Sequence, residues 1–300
     1  MIFGGAVSRC LFQQPAETVN WKRMAATDKN LLARLLDQPE EQIDLGRAAL
    51  LLARTEYPDL DLDAEVARLD ALSAEAARSV LSHQDTGARV TACRHFLAEV
   101  CGFHGNEHDY YDPQNSFLNQ VLDRRTGIPI TLSVVYMEVG RRLGLPLYGV
   151  GLPGHFLVKW QDSRSVIFLD PFHGGCAVST AGCRAMVDRI YEGRMEFRNE
   201  FLAAVTKKQI ILRMLSNLRG IYLHHRQLRK ALAVIEMILA ISPASPEDLK
   251  QRGMLHFQLH NFRQAREDLE GYLFLNPRAS DAEEVQQSLN ALKRTAAMLN

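Results

Sequence analysis

Between Gly127 and Asp170 the chain has to make one helix and then three short strands in quick succession. Gly127-Ile128-Pro129 breaks whatever precedes it. Thr131 can then cap a helix over 131–143, with Gly144 just past its end and Pro146 two residues on. Ile130, Val134, Met137, Val139 and Leu143 are apolar, so most of that helix is expected to be buried. Residues 147–152 form a short apolar run between two prolines and read as a strand. Residues 155–160 (HFLVKW) and 166–170 (VIFLD) read as two more, with Gln161-Asp162-Ser163-Arg164 as the hairpin turn between them.

The hairpin carries a geometric expectation. A turn centred on Asp162-Ser163 pairs Trp160 with Ser165 and His155 with Asp170. Cross-strand partners lie on one face with Cβ atoms roughly 5 Å apart. Asp170 is then placed to hold one ring nitrogen of His155 and leave the other free, which is the base-and-orienter half of a catalytic triad. A slip of one residue would put the two side chains on opposite faces.

A helix ending in R-x-L-G-L-P, a strand, then G-H-F opening the next strand and L-D-P closing a third resembles the transglutaminase-like core of the papain-type superfamily. GIPITL, GLPGHFLVKW and the LDPF-x-G-G run resemble more closely the bacterial SirB-type family, which also carries tetratricopeptide repeats behind the core. The resemblance covers roughly residues 31–292. It implies an α+β fold: a papain/transglutaminase-like core with N-terminal helices, followed by an all-α tetratricopeptide-repeat module. It maps the superfamily's His and Asp onto His155 and Asp170 and places Asn115 along the cleft. The superfamily's nucleophilic Cys stands at the start of the helix that ends in G-[IL]-P. Here that position is Pro129, and no Cys occurs between Gly102 and Gly175. The helix start offers only the hydroxyls of Thr131 and Ser133, poor nucleophiles unless a base such as His155 assists them.

Composition excludes several classes. Basic and acidic residues balance at 35 each, so there is no global footprint for nucleic acid. No run of about 18 apolar residues exists, so no membrane span is expected. The five cysteines (Cys10, Cys93, Cys101, Cys176, Cys183) are odd in number and lack metal-type spacing, which fits reduced thiols in a cytoplasm. Residues 1–23 show little periodicity and no secretory pattern. Residues 1–30 are expected to be a disordered or non-native extension, with Met24 an ordinary place for a chain to begin.

From Leu31 the sequence reads helical, with segments over 45–53, 62–81 and 86–100. Cys93 falls on the apolar face of the last and is expected in the core. The loop from Cys101 to Asp109 offers Cys101, His104 and His108 to a metal, but Gly102 and Gly105 argue against the helix that would align them, and the loop reading is preferred. Asn115 or Ser116 is expected to cap a helix through Arg125. His173 could line the same cleft or simply face water, and the water-facing reading is preferred.

Toward the C-terminus, Ala231 and Ala265 are 34 residues apart, as are Pro243 and Pro277. That is the tetratricopeptide period, and GMLHFQLHNFRQAREDLEGYLFLNP resembles its consensus. The first unit is less regular, with Arg219 where the small residue belongs. A closing helix is expected over 281–292. Two units and a cap bury too little alone, so the module is expected to dock on the core through 209–222. Arg213, Asn217, His224, Arg226 and Arg229 are candidates for a partner groove or simply a solvated face.

The expected organisation is thus an extension over 1–30, a transglutaminase-like domain over 31–202 and a repeat module over 203–300. The expected function is a non-catalytic, regulatory, cytoplasmic pseudoenzyme that binds a protein or peptide through its repeats and needs neither cofactor nor metal. The alternative is a hydrolase or acyl transferase in which His155 and Asp170 activate Ser133 or Thr131, or in which Cys101 reaches the cleft.

Overall fold

The computed structural model describes residues 21–163 and 165–298. The expectation for residues 1–20 lies outside them. Residues 21–30 are helical rather than disordered: they open the first helix, α1 (Trp21–Leu36), which buries Leu32 and Leu36.

Short acidic caps start the helices that follow. Asp44 accepts the Arg47 amide at the head of α2 (Leu45–Ala53), Asp61 those of Asp63 and Ala64 at α3 (Leu62–Val80), and Asp85 that of Ala88 at α4 (Thr86–His95). A π-turn over Phe96–Val100 extends α4, and Cys93 is buried as its apolar face requires. Next come β1 (His104–Gly105), a 3-10 turn over Pro113–Ser116, α5 (Leu118–Arg124) and β2 (Thr126–Gly127), which pairs parallel with β1. Here the expected cap fails. Asn115 and Ser116 belong to the 3-10 turn, which Asp112 caps through the Gln114 amide, and α5 begins two residues beyond Ser116.

The central element is α6 (Pro129–Arg142), buried on every side from Pro129 to Gly140. A helix buried all round, even with Thr131, Ser133 and Glu138 among its buried residues, has to lie in the middle of its domain. It starts at Pro129 rather than behind a Thr131 cap, because a proline's fixed φ and missing N–H suit the first helical position. Around it pack α2, α3, α4 and α5 and a four-stranded antiparallel meander, β3 (Leu147–Val150), β4 (Leu157–Gln161), β5 (Val166–Asp170) and β6 (Cys176–Val178). Alternation along the strands makes two cores. Val158, Trp160 and Leu169 join the α6 side, while Leu157 and Phe168 face α7 (Thr180–Tyr191) with its Cys183 and Val187.

The β4–β5 register differs from the expected one. Trp160 pairs with Ile167 and Gln161 with Val166, two residues along from the predicted pairing. The turn begins at Asp162, whose carboxylate accepts the Ser165 amide at 2.7 Å, while the Asp162 amide donates to the Ser165 carbonyl at 3.0 Å. That local closure fixes the loop at four residues and so sets the register.

The remaining helices are α8 (Lys207–His224), α9 (Leu228–Ile241), α10 (Pro246–Gln258), α11 (Phe262–Leu275) and α12 (Ala282–Met298). They form two helical hairpins and a closing helix. A reciprocal capping box between Thr206 and Gln209 starts α8. Ile210, Ile211, Met214, Leu215 and Leu218 of α8 belong to the same apolar cluster as α2 and α6, so the repeats dock on the core through this helix. α9 packs in turn on α1. The small repeat positions are real: Ala231 and Ala265 are fully buried, and a Cβ on Gly253 would meet Leu269.

Candidate functional site

The hairpin of β4 and β5 delivers its two chemical residues to one place. A two-residue shift of register preserves parity, so His155 and Asp170 still share a side. Gly154, at φ +72°, turns the chain sharply, and the His155 amide donates to the Leu152 carbonyl at 3.0 Å. The imidazole therefore leaves the turn just before β4. Its Nε2 lies 2.9 Å from Asp170 Oδ2. Nδ1 is the ring nitrogen turned away from the carboxylate.

Asp170 is fully buried at the end of β5. Its Oδ1 accepts the Phe172 amide at 3.1 Å, which fixes the carboxylate plane. His173, in the short 3-10 turn over Pro171–His173, brings Nδ1 to 2.7 Å from the same Oδ2. Burial would push the Asp170 carboxyl up; the hydrogen bonds and charges of His155 and His173 outweigh it and hold the group below its ordinary 3.8. The expectation that His173 simply faces water is corrected: its side chain is half exposed, but the ring is anchored on Asp170.

Gly174 and Gly175, at φ +65° and +68°, make the left-handed turn that folds β6 back, a conformation only glycine adopts easily. The turn places Cys176 directly opposite Asp170 in the β5–β6 ladder. Sequence reasoning weighed His173 for the cleft but preferred water, and it missed Cys176. The D-x-x-H spacing was the available signal for the first, whereas the second follows only from strand pairing.

The candidate nucleophiles are placed differently. Ser133 is fully buried in α6, its hydroxyl donated to the Pro129 carbonyl at 2.8 Å. The Thr131 hydroxyl is also buried and has no hydrogen-bond partner among the described residues. Among the described cysteines every thiol is shifted upward, the reverse of thiolate activation. Burial pushes Cys93 up to about 12 and Cys183 up to about 11. Partial burial raises Cys101; at Cys176 partial burial comes first and the Asp170 charge adds to it.

Asn115 is fully buried. Its amide donates to the Asp109 carbonyl at 2.7 Å, and its oxygen accepts from Asn106 at 3.1 Å, so it clamps the 106–110 loop. Tyr110 of that loop stands edge-on to Phe172 at 6.1 Å, and Phe172 in turn faces His155 at 6.2 Å. His104 and His108 remain exposed, His104 bonding the Gly102 carbonyl, and they do not converge with Cys101.

The repeats reach the site through α8. The Arg213 guanidinium donates to the carbonyls of Leu152 at 2.8 Å and His155 at 2.6 Å, straddling the turn that carries the imidazole. His224 stacks on Tyr111 at 4.8 Å. Of the polar residues weighed for a partner groove or a solvated face, Arg213 is thus turned toward the core, while His224 stays exposed beside Tyr111.

Residues 63–216 match the model of a transglutaminase-like superfamily, and residues 218–290 match a tetratricopeptide repeat. The two matches meet inside α8. A UPF0162 protein of Xylella fastidiosa (strain 9a5c) is 35% identical over 83% of this chain and 90% of its own. A UPF0162 protein of Vibrio cholerae is 29% identical over 87% of this chain and 97% of its own. F-box only protein 21 of Homo sapiens is 31% identical over 182 residues, 56% of this chain and 28% of that one. With its transglutaminase-like core and repeats matched in order, and with this coverage at 35% identity, the chain belongs to the UPF0162 proteins of the transglutaminase-like superfamily.

Proposed function

We propose that this protein is a non-catalytic, transglutaminase-like factor of a bacterial cytoplasm that binds a protein or peptide partner, with residues 31–202 as the core unit and 203–300 as the partner-facing module. The finer SirB-type assignment rests on the GLPGHFLVKW and LDPF motifs. The observation that carries the non-catalytic reading is the missing activated nucleophile. Pro129 stands where the superfamily's thiol belongs, Ser133 is tied to its own helix, and every described thiol is shifted upward. A cysteine nucleophile needs the opposite shift. Tetratricopeptide repeats generally mediate protein interactions, and Arg213 couples that module mechanically to the His155 turn. No helix among the described residues is long and apolar enough to cross a membrane.

Thiol- and hydroxyl-directed electrophiles, read by peptide mass spectrometry on the wild type and on His155→Ala, test the reading. Among the described cysteines, exposed Cys176 should label first and Cys101 more slowly, with Cys93 and Cys183 protected in both proteins. One residue labelled in the wild type and spared in His155→Ala would establish a working nucleophile–base pair and overturn the proposal, whether that residue is Ser133, Thr131 or a cysteine.

A further inference from the structure

A triad needs one imidazole on its carboxylate; Asp170 has two on the same oxygen. His155 Nε2 and His173 Nδ1 lie 2.9 Å and 2.7 Å from Oδ2, and the three donor atoms fall within 4.8 Å of one another. We propose that His155, Asp170 and His173 form a binding site for a divalent transition-metal ion of the zinc and cobalt class.

The donor set is two imidazoles and one carboxylate, the mixture such ions take. Neighbouring ligand atoms around a tetrahedral ion bound at about 2.0–2.2 Å lie roughly 3.3–3.6 Å apart, so the two imidazoles have to draw back from Oδ2 by about half an ångström to admit it. The surroundings also suit a metal. Ligating carboxylates are themselves hydrogen-bonded, and Asp170 Oδ1 already accepts the Phe172 amide. Ligating histidines commonly present their other ring nitrogen to an acceptor; Glu107 Oε1 lies on that side of His173, 4.0 Å from Nε2 and outside hydrogen-bond reach in this structure. Phe172 stands edge-on to both rings, 6.2 Å from His155 and 5.1 Å from His173, and walls one side. Asp170 is wholly buried and the His155 side chain nearly so, while the half-exposed His173 leaves a way in.

Binding exchanges two hydrogen bonds for three coordinate bonds. His155 Nε2 and His173 Nδ1 give up their N–H bonds to Oδ2 and present lone pairs to the ion. In the neutral rings the protons then sit on His155 Nδ1 and His173 Nε2. Three protein ligands leave a position for water or for a group of a bound partner. The site stands whether or not the cleft is catalytic.

The test uses the full chain, stripped with a chelator and then titrated with cobalt(II) followed by visible absorption and with zinc(II) by calorimetry. One equivalent should bind. Loss of an outer-shell partner alone weakens metal sites about 10–100-fold, so His173→Ala should weaken binding at least about tenfold. His83→Ala, at an exposed histidine elsewhere, should leave the affinity unchanged. Far-UV circular dichroism checks that His173→Ala is folded, as its half-exposed side chain predicts. Three outcomes would each overturn the proposal: no stoichiometric binding to the wild type, unchanged affinity in folded His173→Ala, or sulfur-to-cobalt charge-transfer bands that move the ion to a thiol.

Discussion

At the scale of single residues, a buried polar group is governed by what it is given in place of water. Asp170 receives two imidazoles and a backbone amide, and its carboxyl stays low despite burial. His256 in α10 receives less. Its ring is buried, Asn261 Nδ2 donates to its Nδ1 at 3.2 Å, and burial, partly offset by Asp268 and reinforced by Arg252, lowers its pKa from 6.5. In the unfolded chain this histidine takes up a proton near 6.5, whereas the folded protein resists until lower pH. Acid therefore favours unfolding across that window, and the stabilisation is complete only above 6.5. Denaturant midpoints taken above and below pH 6.5 should fall on acidification in the wild type and fall less in His256→Gln. Equal slopes in the two proteins would refute the assignment.

At the scale of elements, close approach decides which substitutions are tolerated. Gly105 of β1 lies against the Phe172 ring, where a Cβ has no room. Gly105→Ala should push that ring toward the imidazoles and cost about 1–3 kcal/mol. Urea denaturation would measure the cost, and histidine ring resonances of His155 and His173 would move with it; a neutral substitution would mean that the strand yields instead. α6 presents a different case. Its Glu138 is almost wholly buried and is held by Arg142 at 2.5 Å and Arg141 at 3.1 Å. Arg142→Met strands the carboxylate on the more exposed arginine. The expected loss is about 3 kcal/mol, at the low end for a broken buried pair because Arg141 remains. A change under ~1 kcal/mol by chemical denaturation would contradict it.

At the scale of the molecule, the repeats and the core are joined by a common interior. Leu215 of α8 is fully buried in the cluster that holds α2 and α6. Leu215→Ala should cost about 2–5 kcal/mol. In a Trp21→Phe background, which leaves Trp160 as the sole tryptophan, it should shift Trp160 fluorescence, reporting the core sheet, and far-UV circular dichroism, dominated by the helices, to the same new midpoint. Separate transitions for the two signals would show that the modules unfold independently.

The order of the main helices and of β3, β4 and β5 was legible in the chain because it follows from local chemistry, whereas the short β1, β2 and β6 were not anticipated. Pro129 and Gly144 bracket α6, the 34-residue spacing of Ala231 and Ala265 marks the repeats, and alternation in residues 155–170 puts His155 and Asp170 on one side. That side survived an error of two residues in the register because strand periodicity is two. The tertiary structure decided what depends on atoms far apart in sequence or on one turn's closure. Asp162 set the hairpin register, the Gly174-Gly175 turn brought Cys176 opposite Asp170, and the turn after β5 swung His173 onto the same carboxylate. Arg213, which sequence alone left between a partner groove and a solvated face, was drawn to the carbonyls around His155, because α8 had to bury its apolar face on the core and carried the guanidinium with it.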